Sequence, residues 1–77
     1  MLTRLPTVTA RTVVRFLESL GFEEIRSRGS HHFFRHPDGR TATIPVHAGE
    51  DLGRGVTSKI LNDAEVDRAV FITWLYE

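Results

Sequence analysis

Apolar positions along the chain recur with two kinds of spacing, helical at both ends and alternating in the middle. Val13, Phe16, Leu17 and Leu20 fall at helical intervals and form one apolar face, which predicts a first helix from about Ala10 to Leu20. Thr9 is placed to cap its start, Val8 and Val13 stand in hydrophobic-staple positions, and Gly21 falls just past its end. Three short strands are predicted next, at about Glu23 to Arg28, His31 to His36 and Arg40 to Val46. Gly29-Ser30 has the chemistry of a two-residue hairpin turn. Pro37-Asp38-Gly39 reads as a three-residue loop with Gly39 at the left-handed bulge position. Pro45 has no amide hydrogen for a ladder, so the third strand should lie at an edge. After a loop from Ala48 to Arg54, helices are expected over about Val56 to Asn62 and Arg68 to Tyr76. Asp67 is the expected N-cap of the last one, with Val66 and Phe71 as its staple.

The resulting order, α-β-β-β-α-α, predicts an α+β fold in which a three-stranded antiparallel sheet carries helices on one face. The turns fix the register. A two-residue turn sets Arg28 against His31, Arg26 against Phe33 and Ile25 against Phe34. A three-residue loop sets His36 against Arg40, Phe34 against Ala42 and His32 against Ile44, leaving His31 opposite Pro45 with His47 on its diagonal. One face then collects Ile25, Phe34, Ala42, Ile44 and Val46 and must hold the helices. The other collects Arg26, Arg28, His31, Phe33, Arg35, Thr41, Thr43 and His47 and is open and basic. In the last helix Val70, Phe71, Trp74, Leu75 and Tyr76 read as core filling, and an exposed Trp74 would instead suggest a contact surface.

With 77 residues the chain is expected to be one domain, spanning 1–77. It has no cysteine, which excludes disulfides and thiolate metal sites and fits a reducing cytoplasm. The longest near-apolar run, Ala69 to Leu75, is too short to span a membrane, and the Met1 to Pro6 start lacks the apolar core of a signal peptide. Net charge is zero, which argues against a nucleic-acid partner, but the distribution argues for one. Four arginines, one acid and all four histidines lie between Arg26 and His47. Such a patch binds anions locally without much long-range steering, or is simply a solvated basic face.

The histidines separate by face. His32 and His36 fall on the helix side and read as structural, half-buried and hydrogen-bonded. They are four residues apart along a strand, about 13 Å, too far to share an ion, and no cofactor or metal is expected. His31 opens a strand after a tight turn, beside Arg28 and two residues before Phe33. Histidine exchanges protons near neutral pH, and a neighbouring arginine can clamp a phosphate. Together they suit attack of a ribose 2′-hydroxyl on the adjacent phosphate, which needs a base, an acid and an anion clamp. His47 is the candidate second acid/base group, or else a loop residue ending a strand. Phe33 could stack a base or anchor a protein partner.

The run Gly29-Ser30-His31-His32-Phe33-Phe34-Arg35-His36-Pro37-Asp38-Gly39-Arg40 resembles the HicA toxins of type II toxin–antitoxin modules. Ile44-Pro45-Val46-His47, the Leu5-Pro6 lead and Leu20-Gly21-Phe22 extend the likeness over nearly the whole chain. The resemblance implies a fold like the double-stranded-RNA-binding domain and metal-independent cleavage of RNA, notably messenger RNA. It also implies a catalytic histidine after Gly-Ser, here His31, and silencing by a HicB-like antitoxin that covers the active face. The chain departs from the family pattern at two helix ends. Gly55-Val56-Thr57 stands where Gly-Thr is common, and Ala64-Glu65 where Ala-Gly is common. The expectation is a cytoplasmic mRNA interferase with His31 as acid/base, Arg28 as phosphate clamp, Arg26, Phe33 and Arg35 as RNA surface, and Lys59 reaching phosphate from the second helix. The rivals are a non-catalytic RNA-binding module of the same fold and a face that serves only to dock a protein.

Overall fold

The computed structural model describes residues 4–77, so the first three residues of the start read above as lacking a leader lie outside the described residues. In chain order the elements are β1 (Val8–Thr9), α1 (Ala10–Ser19), β2 (Glu23–Arg28), β3 (His31–Arg35), β4 (Thr41–Pro45), β5 (Asp51–Leu52), α2 (Arg54–Asp63) and α3 (Arg68–Leu75). The fold is α+β, a helix, a three-stranded antiparallel sheet ordered β2-β3-β4, then two helices, consistent with the double-stranded-RNA-binding-like arrangement. β1 and β5 are an unexpected two-residue ladder pairing Val8 with Leu52 and Thr9 with Asp51. The Thr9 hydroxyl accepts from the Thr12 amide and caps α1, and Asp67 caps α3 through the Ala69 amide. α2 begins at Arg54, earlier than its apolar spacing suggests, with Gly53 as an N-cap that supplies no side chain.

The core is built from Val13, Phe16 and Leu17 of α1, Phe34 of β3, Ala42 and Ile44 of β4, Ile60 and Leu61 of α2, and Phe71 of α3. Phe16 meets Phe71 edge-on with ring centroids 4.9 Å apart, and Trp74 lies 5.3 Å from Phe16, so Trp74 packs on the core. Val70 and Tyr76 are exposed, which corrects the expectation that all the large apolar residues of the last helix fill the core. An eight-residue helix lying on a small core turns one side to solvent.

Both expected turns form. Arg28 faces His31 across Gly29-Ser30, with Gly29 at φ +58°. The His36 amide donates to the Arg40 carbonyl at 2.8 Å across the second loop. The β3–β4 register is the one the turns dictate, His31 opposite Pro45, His32 opposite Ile44 and Phe34 opposite Ala42. The β2–β3 register departs from expectation halfway along. Arg26 faces Phe33, but Glu24 rather than Ile25 faces Phe34, and Ile25 is the extra residue of a bulge, 56% exposed. Ile25 is therefore not on the apolar face.

The reason for the bulge lies at the start of the strand. A one-residue slip reverses the side of every residue preceding it. In the straight register Ile25 would enter the core and Phe22 would leave it; with the bulge Phe22 is only 1% exposed. The larger aromatic buries more apolar area, so the exchange favours the bulge. The same slip sets Glu23 against Arg35 on the open face and brings Glu24 to the helix side, where its Oε2 lies 3.2 Å from His32 Nδ1.

Phe22 is held by its surroundings. α1 ends in a left-handed Gly21, with the Gly21 amide donating to the Glu18 carbonyl and the Phe22 amide to the Leu17 carbonyl. His36 packs edge-on against the Phe22 ring at 5.1 Å between centroids. Its Nε2 lies 2.9 Å from the Leu20 carbonyl oxygen, and its Nδ1 accepts from the Asp38 amide at 3.1 Å. The same Nδ1 lies 3.0 Å from Asp38 Oδ1, so the ring is held between the helix end and the loop. Arg40 reaches three ways: its guanidinium lies 5.3 Å from the Phe22 centroid, its Nε donates to Asp38 Oδ2 at 2.8 Å, and its Nη1 donates to the Ala64 carbonyl at 3.0 Å. α2 ends like α1, with the Glu65 amide bonded to the Asn62 carbonyl and the Val66 amide to the Leu61 carbonyl. There the left-handed residue is Glu65, at φ +57°.

These features make three predictions. Phe22→Ala should cost about 3–5 kcal/mol in denaturant unfolding, whereas Ile25→Thr should lie within about 0.5 kcal/mol of the parent. A straight β2 would invert that order. Glu65→Gly should raise stability by about 1 kcal/mol, read as an increase in melting temperature, because glycine takes the left-handed conformation without the Cβ clash. Asp38 titrates below its ordinary value of 3.8, chiefly because the Arg40 amide bonds its carboxylate; desolvation opposes this, and the Arg40 side chain and the neighbouring His36 ring add smaller lowering effects. A carboxyl whose folded pKa is lowered contributes stability above its ordinary value and loses it as the pH falls through the folded one. Carbon-detected NMR should therefore place the Asp38 midpoint below 3.8, and Asp38→Asn should flatten the acid limb of the melting curve.

Candidate active site

His31 is placed by three backbone constraints: the Gly29-Ser30 turn before it, Arg28 across one ladder and Pro45 across the other. The Val46 amide donates to the Ser30 carbonyl at 2.7 Å and closes the strand end beside the turn. His31 is exposed and lies on the open side of the sheet, away from Phe34 and Ile44. It lines a hollow of about 250 Å³ with Thr43 and Pro45 of β4 and with Val56, Lys59, Ile60 and Asp63 of α2. That volume is slightly below the range for drug-sized ligands and suits a phosphate with part of a sugar.

The hollow is a seam between sheet and helix. α2 packs against β4 through its buried Ile60 and Leu61, which turns Lys59 and Asp63 toward the open face. Lys59 Nζ donates to Asp63 Oδ2 at 3.0 Å, and both side chains remain well exposed. Lys59, expected only to reach phosphate from the second helix, lines the same hollow as His31, together with Asp63, Thr43 and Pro45, which the sequence did not single out as site residues. The four-residue spacing of Lys59 and Asp63 on a helix was the signal available for Asp63.

The remaining candidates are distributed around this seam. Arg28 stands across β2 from His31 and does not line the hollow. Arg26 lies with its guanidinium 5.0 Å from the Phe33 centroid, so the half-buried Phe33 presents a cation-capped aromatic rather than a bare ring. Arg35 faces Glu23 on one side and Thr41 on the other, which moderates the positive charge at that end. Among the described residues, Arg26, Arg28 and Arg35 make no ion pair within hydrogen-bonding reach.

His47 is not brought to His31. It lines a separate hollow of about 420 Å³ with His32, Glu24, Arg11 and Val46, beside the start of α1. β4 ends at Pro45, so the strand alternation that put His47 on the His31 diagonal does not extend to it. The chain turns instead, with the Glu50 amide donating to the His47 carbonyl at 3.2 Å. His32 and His36 are committed to Glu24 and to the Leu20 carbonyl. Among the described residues no three His, Asp or Glu side chains are grouped to hold a metal ion, and no helix is long and apolar enough to cross a membrane.

Comparison with known proteins adds one match. The family model described as HicA toxin of bacterial toxin–antitoxin modules matches residues 10–66, from the start of α1 to the residue before the α3 cap. No curated protein matches the chain.

Proposed function

Because the chain belongs to the HicA toxin family of bacterial toxin–antitoxin systems, we propose that it is a metal-independent endoribonuclease, an mRNA interferase acting in the cytoplasm, with His31 as its catalytic histidine. The observation that supports this most is the seam itself, which sets an exposed histidine and a lysine ammonium in one phosphate-sized hollow on an arginine-bearing face. His31 exchanges the proton of a ribose 2′-hydroxyl, whose oxygen attacks the neighbouring phosphorus. The products are a 2′,3′-cyclic phosphate and a free 5′-hydroxyl. Arg28, paired with His31 across the ladder, clamps the phosphate from outside the hollow, and its charge and that of Lys59 meet the charge building on the phosphorane. The Arg26–Phe33 pair offers a flat, charged platform on which an unpaired base can stack, and Arg35 extends the backbone-binding surface. Toxins of this family pair with antitoxins; a HicB-like antitoxin that covers this face would occlude the hollow and the arginines together.

Purified protein incubated with RNA in EDTA should cleave it and leave cyclic-phosphate ends. His31→Ala should lower the rate by at least about a hundredfold, the low end of acid–base contributions, without changing the circular dichroism spectrum or melting temperature. An active and toxic His31→Ala variant would sink the mechanism. Binding without cleavage by the parent protein would make the chain an RNA-binding module instead, and absence of RNA binding would leave the face as a protein-docking surface.

A further inference from the structure

We propose that Lys59 is the second catalytic group, the acid that protonates the leaving 5′-oxygen; the proposal rests on the RNA-cleaving function above. A histidine acting as base leaves the departing oxygen without a proton donor. His47, the other candidate, opens into a different hollow. Lys59 is the titratable donor that shares the hollow with His31. It is also the only lysine in the chain, every other basic side chain apart from the histidines being an arginine. The difference is chemical. A guanidinium stays protonated and serves as a fixed charge, whereas an ammonium can hand over a proton. An ammonium carries three hydrogens and no lone pair, so in this pair of groups Lys59 is the donor and His31 the base.

Asp63 takes one of those hydrogens at 3.0 Å and leaves two for the phosphate and the leaving oxygen. An exposed pair at this spacing, with the lysine on the N-terminal side, adds little to helix stability. The step balances as follows. Neutral His31 takes the 2′-hydroxyl proton as the O2′–P bond forms. The P–O5′ bond breaks with its electron pair on O5′, and a Lys59 proton moves to O5′. The resulting amine and imidazolium return to their starting forms by proton exchange with water.

The test replaces the bridging 5′-oxygen of an RNA oligonucleotide with sulfur, whose thiolate departs without a proton. On ordinary RNA, Lys59→Met should lose about 10²–10⁴-fold in kcat with KM little changed, the usual range for a general acid. Lys59→Arg should be similarly slow, because it keeps the charge and not the transferable proton. On the sulfur substrate both variants should recover to within about tenfold of the parent, while His31→Ala stays slow because it lacks the base. Unchanged melting curves would confirm that the variants are folded. A Lys59→Met defect in KM alone, full activity of Lys59→Arg, or no recovery with sulfur would overturn the proposal and leave His31 in place as base. A parent protein that cleaves neither substrate would overturn both this and the function it rests on.

Discussion

The contact on which the structure depends most is the clasp between His36 and the end of the first helix. One imidazole meets the Leu20 carbonyl through Nε2 and the Asp38 loop through Nδ1, and lies edge-on against Phe22. It joins three things that are separate in sequence: a helix end, a hairpin loop and the start of an edge strand. The fit is close. A Cβ on Gly21 would stand 3.2 Å from His36 Nε2, in a backbone conformation that side chains rarely adopt. Arg40 extends the clasp by lying over the same Phe22 ring and donating to the Ala64 carbonyl at the end of α2. Both helix ends that border the sheet are thus tied to one loop, and the loop is on the opposite end of β3 from His31.

That separation explains how the fold carries an exposed site. β3 is the central strand, so its register is fixed from both sides, and clamping one end fixes the other. Phe34 in the core and His36 in the clasp leave His31 no freedom to slip, although its side chain is exposed. The helix side of the hollow is fixed by the same means, because burying Ile60 and Leu61 determines where Lys59 and Asp63 emerge. Site geometry is therefore set by apolar packing a few residues away, and the polar side chains on the surface remain free to meet a ligand.

What was legible in the sequence divides along the same line. The two turns are written in residues with a single good use, Gly29 for a positive φ and Pro37-Asp38-Gly39 for a bulged loop, and the pairing they dictate was read correctly through β3 and β4. The β2 bulge was not legible, because alternation within Glu23–Arg28 fits either register and the choice depends on Phe22, which lies outside the strand. The β1–β5 ladder is two residues long and has no periodicity to detect. His47 was misplaced because strand alternation was extended past Pro45, where the ladder ends. Asp63 went unnoticed because its importance comes from where α2 docks, which a single helix pattern does not reveal.

A neutral chain with a basic face gains little from long-range attraction to RNA, since its acids nearly cancel its cations beyond a Debye length. Under the proposed function, discrimination would fall to contacts made at close range on the open face. The Arg26 guanidinium already lies over Phe33, so a base binding there as proposed would meet a partly preorganised pair. Lys59 is biased toward Asp63 in the same manner, though more weakly. In both cases a long cationic side chain that would otherwise lose rotamer freedom on binding has lost part of it on folding. For a small domain with a limited core, restraining a few surface cations is a less demanding route to an ordered site than burying them, because a buried cation would need a full set of partners that 77 residues can hardly supply.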